Sequence, residues 1–360
     1  MKKFTGAGIA LLLGTTAAYA GGMDRSGQSI AALFEEGTYA EISFGSVSPD
    51  VSGVGMAAFG AQESGTVAPD YTTMGLAFKT DVNDKVSMAF IMDQPFGANV
   101  SYSQPTYPLN GTNAEVKSTG ITVLGQYHVD ENFSVYAGPR FISAEGFYDP
   151  TGAYASTYSK DSDVGYVIGG AYEITDIALR VAVTYSSQTD FALDGTAGDL
   201  TATMPQSVNL DFQTGIAANT LLFGSVRWAD WSEATLDDLF LETQPSGGNL
   251  ADFNDEDVYT YSIGVGRRFT DNFAAQISVG YEAATNQLAS NLSPTDGYTS
   301  LSIGGAYTFE NGFELSGGVR KVWLGDATTE APYPFPAGTE FATFTDNSAT
   351  AIGLKLAYNY

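Results

Sequence analysis

The chain has 360 residues and a formal net charge of −26, because 41 Asp and Glu side chains outnumber 15 Lys and Arg side chains. Such an acidic surface lacks the basic footprint that phosphates require, so a nucleic-acid partner is excluded. After residue 20 no stretch approaches the roughly eighteen consecutive apolar residues of a membrane helix. The composition, with 41 Gly, 21 Tyr and 22 Phe residues, is instead typical of an all-β protein.

The first twenty residues have the organisation of a secretory signal peptide. Lys2 and Lys3 precede the apolar run Gly8–Leu13, and the small residues Ala18 and Ala20 mark a cleavage site. The run is too short to span a bilayer as an anchor. We therefore predict that residues 1–20 are removed after Ala20 during export. The exported chain has no cysteine, so it must be stable without disulfides.

Beyond residue 37 the sequence alternates between strands with one apolar face and polar connections. The connections are alternately tiny turns rich in Asn, Asp and Gly, such as Asp130-Glu131-Asn132, and long polar loops. Many of the strands have the ten or so residues that a tilted membrane strand needs. Fourteen are predicted, near 38–46, 70–80, 86–94, 114–129, 133–147, 163–174, 178–188, 205–216, 221–231, 257–269, 273–283, 298–309, 313–324 and 348–360.

Aromatic residues mark both ends of these strands. Phenylalanines flank the short turns and tryptophans lie at the opposite strand ends: Phe133, Phe269, Phe273, Phe309 and Phe313 against Trp228, Trp231 and Trp323. Two aromatic girdles around an apolar band favour an outer-membrane barrel over a water-soluble β-sandwich. The last strand would close the barrel against the first, and the terminal Tyr360 suits recognition by the barrel-assembly machinery. The prediction is an all-β, 14-stranded antiparallel transmembrane barrel in the outer membrane of a Gram-negative bacterium.

The basic residues of the strands lie at the alternate positions that we assign to the lumen. Lys79, Arg140, Arg180, Arg227, Arg268, Arg320 and Lys355 fall opposite the apolar face. Two interpretations stay open. The basic residues pair with inward acids such as Glu41, Asp93 or Glu282, or one or two of them contact an anionic ligand headgroup.

An enzymatic function is not predicted. The only histidine, His128, lies beside a short turn and far from the outer rim, so we expect a structural role. Acids between Trp228 and Gly266 suggest either calcium binding by a loop or a solvated, self-repelling loop. No position has the spacing of a dedicated metal loop. We therefore predict neither a metal site nor a cofactor.

Several short motifs resemble the FadL-type outer-membrane transporters of long-chain fatty acids and other hydrophobic compounds. Pro95-Phe96-Gly97 follows the third strand, Pro205 opens the eighth, and Val47–Gly53 follows the first. The most specific match is Val226–Ser232, "VRWADWS", with Trp228, Asp230 and Trp231. The resemblance spans most of the exported chain, and its strand number is also fourteen.

The resemblance implies a barrel plugged by an N-terminal hatch, here residues 21–36, ahead of a barrel formed by residues 37–360. Ligand would load from an external apolar groove and leave sideways into the membrane near Pro95, Phe96 and Gly97. The hatch is short and has Ser29–Ala32 where the family has Asn-Pro-Ala. Ligand contacts are expected from the hatch and the inward cations: Ile30, Leu33, Phe34, Arg140, Arg180, Arg227, Arg320 and Lys355.

The expected partners are fatty acid-like hydrophobic molecules, outer-membrane lipid and the assembly machinery. Two other functions remain open at this point: a diffusion porin for small solutes, and a structural or adhesive barrel that acts through its loops. A porin would have an open, charge-lined constriction, whereas a transporter would have an apolar pocket above an occluding hatch.

Overall fold

The computed structural model describes residues 23–150, 155–238, 249–252, 257–332 and 334–360. The predicted signal peptide and the first two hatch residues lie outside these ranges. The described residues contain 23 strands, numbered here in chain order, and four short 3-10 helices at Ala31–Phe34, Ala57–Phe59, Thr175–Ile177 and Trp231–Glu233. None of the helices in the described ranges has the length and apolarity needed to cross a membrane.

Fourteen strands form one closed antiparallel barrel, as predicted. The last strand pairs with the first along its whole length, from Tyr39 opposite Asn359 to Asp50 opposite Ser348. The wall strands are β1 (Tyr39–Asp50), β3 (Tyr71–Asn83), β4 (Val86–Asp93), β6 (Asn113–His128), β7 (Phe133–Asp149), β8 (Ser156–Ile174), β9 (Leu179–Ser186), β12 (Ser207–Ala217), β13 (Thr220–Ala229), β16 (Val258–Arg268), β17 (Phe273–Glu282), β19 (Tyr298–Thr308), β20 (Phe313–Leu324) and β23 (Ser348–Asn359).

Strict alternation of side chains explains why these segments form a wall. In β23 the side chains of Ile352, Leu354 and Leu356 are 53%, 57% and 42% exposed. Lys355, which lies between the last two, is only 6% exposed. Successive strand residues point to opposite faces, so one face meets lipid and the other the lumen. All backbone groups in the apolar layer must find partners within the chain, and closure of the ladder supplies them.

The long connections are more ordered than the predicted polar loops. Two four-stranded sheets are built from them. One contains β10 (Thr189–Leu193), β11 (Leu200–Met204), β14 (Thr235–Asp238) and β15 (Asn249–Asp252); the other contains β2 (Gly53–Gly55), β18 (Leu288–Ala289), β21 (Ala327–Glu330) and β22 (Glu340–Phe344). Each sheet belongs to a buried apolar cluster, which includes Phe191 and Leu236 in the first sheet and Phe341 and Phe344 in the second. Purely solvated loops would not bury such side chains.

The aromatic girdle at the short turns is present, and the one at the opposite end is smaller than predicted. The rings of Phe313, Tyr358 and Tyr360 form a row of tilted neighbours, with centroid distances of 4.7 and 5.5 Å. Trp323 is 49% exposed on the outer surface, and the indole of Trp228 donates to Asp257 at 2.8 Å. Trp231 is fully buried, so its assignment to the girdle was wrong. The chain leaves the wall after Ala229 and turns into a 3-10 helix, which directs this ring inward.

We expect an arginine to be costly only on the outer face of the wall. Ile277 lies midway along β17 between the outward rings of Phe273 and Tyr281, and it is 49% exposed. Replacing Ile277 by Arg should lower the free energy of unfolding by about 2–4 kcal/mol, because the charge would lie near the bilayer midplane. The matched control is Ser278→Arg, which faces the lumen and should cost far less. Denaturant titrations in lipid vesicles measure both, and equal losses would contradict the assigned faces.

We also expect the short turns to face the periplasm. An epitope tag at Gly338, where an added side chain meets no atom within 4 Å, should be labelled on intact cells. A tag at Glu131, in the turn between β6 and β7, should be labelled only after the outer membrane is permeabilised. Labelling of the Glu131 tag on intact cells would show that the assigned orientation is wrong.

Candidate functional site

The segment of residues 23–36, called the hatch below, crosses the barrel lumen. Its start is fixed by a buried ion pair in which Arg227 Nε of β13 donates to Asp24 Oδ2 at 2.7 Å. Asn209 of β12 donates to the Gly27 carbonyl oxygen at 2.9 Å. On the opposite wall the Ser26 hydroxyl donates to Asp93 at the end of β4, at 2.5 Å. Because a buried charge without its partner is costly, the Asp24–Arg227 pair holds the hatch in one position.

The two sides of the hatch have different surroundings. Ile30, Ala32 and Leu33 are buried in an apolar cluster with lumen-facing side chains of the wall, including Leu124 and Tyr136. Toward β12, β13, β16, β17 and β19 the hatch borders a cavity of about 240 Å³, called the luminal cavity below. The hatch therefore packs against one half of the wall and stands away from the other.

The wall is interrupted between β3 and the strand that continues β4. β3 pairs with β4 only from Leu76 onward, while its residues Tyr71–Gly75 pair with β1 alone in the described part of the chain. After Asp93 the chain bends at Gln94–Phe96 and resumes as β5 (Gly97–Ser101), which pairs with β6 only. We call the space between Tyr71–Gly75 and β5 the wall gap. The predicted motif Pro95-Phe96-Gly97 thus lies at its edge.

The bend at Pro95 is stabilised by the side chain of Ser118, which was not among the predicted site residues. Ser118 of β6 replaces the missing ladder: its hydroxyl accepts from the Phe96 amide at 2.9 Å and donates to the Phe96 carbonyl oxygen at 2.7 Å. Proline has no amide hydrogen to donate to a ladder. The pairing of β3 with its neighbour is therefore interrupted at a residue that could not have contributed a donor. Gln94 compensates in part, because its Oε1 accepts from the Met74 amide at 3.2 Å.

Arg25 of the hatch lies across the wall gap. Its Nε donates to the Gly97 carbonyl oxygen at 2.7 Å, and its guanidinium carbon lies 3.4 Å from the ring centroid of Tyr71. The backbone adds two bonds, from the Arg25 amide to Pro95 at 2.8 Å and from the Gly97 amide to Met23 at 2.9 Å. A stacked cation and a short ladder therefore join the two edges. The sequence interpretation missed Arg25, because a single basic residue in a polar stretch has no periodic signal.

The two most family-like motifs meet beside the wall gap. The ring of Trp231 contacts Phe96 edge-on at a centroid distance of 6.2 Å. Asp230 accepts hydrogen bonds from Gln206 at 2.9 Å and from Ser232 at 2.8 Å, which fixes the corner that places Trp231 inside. Phe96 is 2% exposed and belongs to the same buried cluster as Met23. Trp228 stays on the outer surface and takes no part in this contact.

The predicted lumen cations divide into two groups. Arg140 pairs with Asp93 at 3.1 Å, and Lys355 pairs with Glu41 at 3.3 Å. Neither is among the described residues that line the luminal cavity, whereas Arg180, Arg227 and Arg320 are. Pairing with inward acids thus accounts for Arg140 and Lys355, and partly for Arg227.

Arg180 and Arg320 both contact neutral groups, and Arg180 also lies 3.9 Å from the Glu173 carboxylate. Arg180 donates to Gln213 at 3.1 Å and lies 4.6 Å from the Phe34 ring centroid. Arg320 donates to Ser300 at 3.0 Å and lies 5.3 Å from the ring of Tyr298.

Glu35 is a second buried acidic group of the hatch, besides Asp24. It is 5% exposed, and burial raises the pKa of its carboxyl group from 4.5 to about 7. Lys355 and Arg180 oppose this shift, while Glu41 and Glu314 add to it. Glu35 also lines a second, larger space of about 1070 Å³ at the short-turn end, called the short-turn vestibule below.

Sequence comparison identifies the family. The model of outer membrane transport proteins described as OMPP1/FadL/TodX matches residues 23–360. The chain belongs to this family. A comparison with curated proteins found no match at the threshold applied. The membership agrees with the resemblance seen in the motifs around Pro95 and Trp231.

Solved structures confirm the barrel architecture. A FadL homologue of Pseudomonas aeruginosa superposes with a TM-score of 0.73 at 13% identity, over 91% of both chains. The toluene transporter TodX of Pseudomonas putida gives 0.67 at 12% identity, over 95% of this chain and 98% of its own. The toluene transporter TbuX of Ralstonia pickettii gives 0.60 at 13% identity, over 91% of both. At such identities these likenesses concern the fold alone.

We expect docking of the hatch to depend on pH through Glu35. Its pKa in the docked hatch is about 7 against an ordinary 4.5, so docking favours the protonated form. Docking should therefore be strongest below pH 4.5 and weaken as the pH rises to about 7, because the buried carboxyl group then loses its proton. Hydrogen exchange of the hatch amides across this range, corrected for intrinsic rates, measures the effect.

The matched control for this prediction is the neighbouring residue, Glu36. Glu35→Gln should remove the pH dependence, whereas the same change at the exposed Glu36 should leave it intact. A pH dependence that persists in Glu35→Gln would assign it to another group.

Proposed function

We propose that this protein takes up long-chain fatty acids or other hydrophobic compounds across the outer membrane and releases them sideways through the wall gap. The observation that carries the proposal is the edge Tyr71–Gly75, which has no strand partner on this side. It faces β5 across a space bridged by Arg25 of the hatch, with one further bond from the Met74 amide to Gln94. A closed barrel satisfies its backbone groups by pairing each strand on both sides, so an interruption at this place needs a reason. Lateral release supplies one.

The energetics of a hydrophobic ligand favour such a route. Each methylene that stays out of water is worth about 0.8 kcal/mol, so a long alkyl chain gains little from a water-filled pore. A path from the lumen through the wall into the bilayer keeps this surface dry. In this mechanism Arg25 leaves the Tyr71 ring and the Gly97 carbonyl oxygen, and the edges of β3 and β5 line the exit.

The division of the chain follows from the same proposal. Residues 1–20 act as the signal peptide, residues 21–36 as the hatch and residues 37–360 as the barrel in the outer membrane. The strand β23, which ends next to Tyr360, is the segment offered to the barrel-assembly machinery. The hatch crosses the lumen and is anchored by the Asp24–Arg227 pair, which supports a gated transporter over an open porin.

The ligand contacts proposed from the sequence can now be ranked. Arg180, Arg227 and Arg320 line the luminal cavity and are the candidates for a carboxylate headgroup, with Phe34 beside them. Arg140 and Lys355 are neutralised by their acids. Ile30 and Leu33 are buried against the wall and reach a ligand only when the hatch moves. A neutral monoaromatic compound, such as the toluene named for TodX and TbuX, would need none of the cations.

The decisive experiment alters the bend at the wall gap. A β-carbon at Gly97 would come within 3.2 Å of both Arg25 Nε and the Val116 carbonyl oxygen, so Gly97→Val crowds the bridge. Combined with Pro95→Val, which restores an amide hydrogen at the bend, it should reduce uptake of radiolabelled oleate and toluene several-fold. The barrel itself should still form, as judged by heat-modifiable gel migration.

The control is Pro334→Val, which changes an exposed proline in the connection between β21 and β22. Uptake by this variant should equal that of the unmodified protein. Undiminished oleate and toluene uptake by the folded Pro95→Val, Gly97→Val variant would refute lateral release. Loss of oleate uptake alone would identify the fatty acid as the substrate that needs the gap.

A further inference from the structure

The luminal cavity has the size of a single aromatic ring with a small substituent. Its volume is about 240 Å³. A protein cavity of roughly 150 Å³ already holds benzene, whereas the pockets of drug-sized ligands begin at about 300 Å³. A long alkyl chain would therefore leave most of its length outside this space, while a one-ring compound would fit within it.

Most of the surface of the luminal cavity is apolar, although serine side chains contribute to it. Its apolar side chains come from both sides, with Ile30 and Phe34 from the hatch and with Phe223 of β13 and Tyr298 of β19 from the wall. The ring of Phe223 lies over Gly264, where a β-carbon would come within 2.5 Å of the Phe223 Cζ atom. An aromatic ligand would leave water here and gain contacts with other rings.

Arg227, which also lines the luminal cavity, presents a fixed hydrogen-bond donor. Its Nε donates to Asp24 at 2.7 Å and its Nη1 donates to Asn209 Oδ1 at 2.9 Å. The third nitrogen, Nη2, has no hydrogen-bond partner among the described residues, and the side chain is only 8% exposed. A buried donor without an acceptor costs free energy. A ligand oxygen placed at Nη2 would recover it.

The shape of the guanidinium group determines which kind of oxygen fits at this place. Nε and Nη2 donate from the same edge of the planar fork, and Asp24 occupies Nε. An acceptor on Nη2 would therefore lie beside the Asp24 carboxylate. A ligand carboxylate would meet a like charge there, whereas a hydroxyl group can accept from Nη2 and donate to Asp24. A hydrocarbon can do neither.

The charges that line the luminal cavity do not require an anionic ligand. The lining includes three arginines and two carboxylates: Arg180, Arg227, Arg320, Asp24 and Asp211. A further carboxylate, that of Glu173, lies 3.9 Å from Arg180. These three positive groups thus stand against three negative ones. A neutral ligand keeps this balance, whereas an anionic headgroup would add a negative charge to a buried site.

We propose that the luminal cavity binds a hydroxyl-bearing monoaromatic compound of the phenol class. The ring of the ligand lies against Phe34 and Phe223. Its hydroxyl group accepts from Arg227 Nη2 and donates to Asp24. This inference rests on the proposed function, because it names the kind of hydrophobic compound that occupies the lumen. The hydroxyl group then contacts the hatch one residue before Arg25, which bridges the wall gap.

Equilibrium dialysis of the purified barrel in detergent micelles tests the ligand class. Radiolabelled phenol is displaced by unlabelled phenol, toluene, benzoate or oleate, each corrected for its partition into empty micelles. Phenol should compete about tenfold better than the other three. Toluene lacks the hydrogen bonds, benzoate meets Asp24, and oleate is too long. The proposal is overturned if phenol does not bind saturably, or if any of the other three competes equally well.

The donor is tested with Arg227→Lys, which keeps a positive charge for Asp24 but has no second nitrogen on the same edge. The affinity for phenol should fall about tenfold, and the affinity for radiolabelled toluene should stay the same. The matched control is Arg267→Lys on the exposed face of β16, which should change neither affinity. A parallel loss of both ligands would mean that Arg227 is merely structural, and an unchanged phenol affinity would mean that Nη2 takes no part; either result contradicts the assignment.

The position of the site is tested by filling the luminal cavity. Ser225→Leu adds an apolar side chain to its lining and should abolish the binding of phenol. The matched control is Ser46→Leu, on the exposed outer face of β1, which should leave phenol binding intact. If Ser225→Leu does not give a heat-modifiable barrel, Ser225→Val replaces it. Undiminished phenol binding in the folded variant would place the site elsewhere and refute the proposal.

The wall-gap variant separates this proposal from lateral release. Pro95→Val combined with Gly97→Val should bind phenol as the unmodified protein does, because dialysis measures binding and not transport. Undiminished oleate and toluene uptake by that variant would refute lateral release while leaving the phenol site established by the dialysis. Conversely, intact uptake by an unmodified protein that does not bind phenol would refute the phenol site alone.

Discussion

The requirement that every backbone amide and carbonyl group in the bilayer find a partner within the chain determines most of this structure. Fourteen strands meet it by closing on themselves, with β23 paired to β1 over their full length. Side-chain alternation then follows, because one face must be apolar for lipid and the other is free to be polar. The stretch Tyr71–Gly75 leaves this scheme on one side, where Pro95 removes a donor from the neighbouring segment.

The hatch compensates for that interruption with the same kinds of interaction that the wall lost. Backbone bonds from Arg25 and to Met23 extend a short ladder onto Pro95 and Gly97, and the guanidinium stacks on Tyr71. The Asp24–Arg227 pair anchors the hatch on the far wall. A buried ion pair adds little net stability relative to apolar packing, but it is costly to break singly and so fixes position. The position of the hatch and the state of the wall gap are consequently linked through three adjacent residues, Met23, Asp24 and Arg25.

The sequence was sufficient to predict the barrel and its strand number, because a two-residue period repeated over fourteen segments is hard to mistake. It also placed the bend at Pro95 and the inward parity of the basic residues. The two sheets formed by the long connections were not predicted, because strands of two to five residues are too short to show an alternation of apolar and polar side chains. Trp231 was misassigned since a ring near a strand end has the same pattern whether it lies in lipid or turns inward. Arg25 contacts Gly97 and Ser118 contacts Phe96, and both pairs are distant in sequence. The residues around Arg25 and Ser118 therefore contain no pattern that predicts these contacts.

The asymmetry of the lumen follows from the short hatch. The fourteen described residues of the hatch are too few to fill a fourteen-stranded barrel. The hatch therefore packs against one half of the wall only. Its apolar residues Ile30 and Leu33 select the half of the wall that carries Leu124 and Tyr136, because burial there removes the most apolar surface from water. The half that is left uncovered can remain hydroxyl-lined, since no apolar partner is pressed against it. The luminal cavity beside Phe34 is the space that this one-sided packing leaves open.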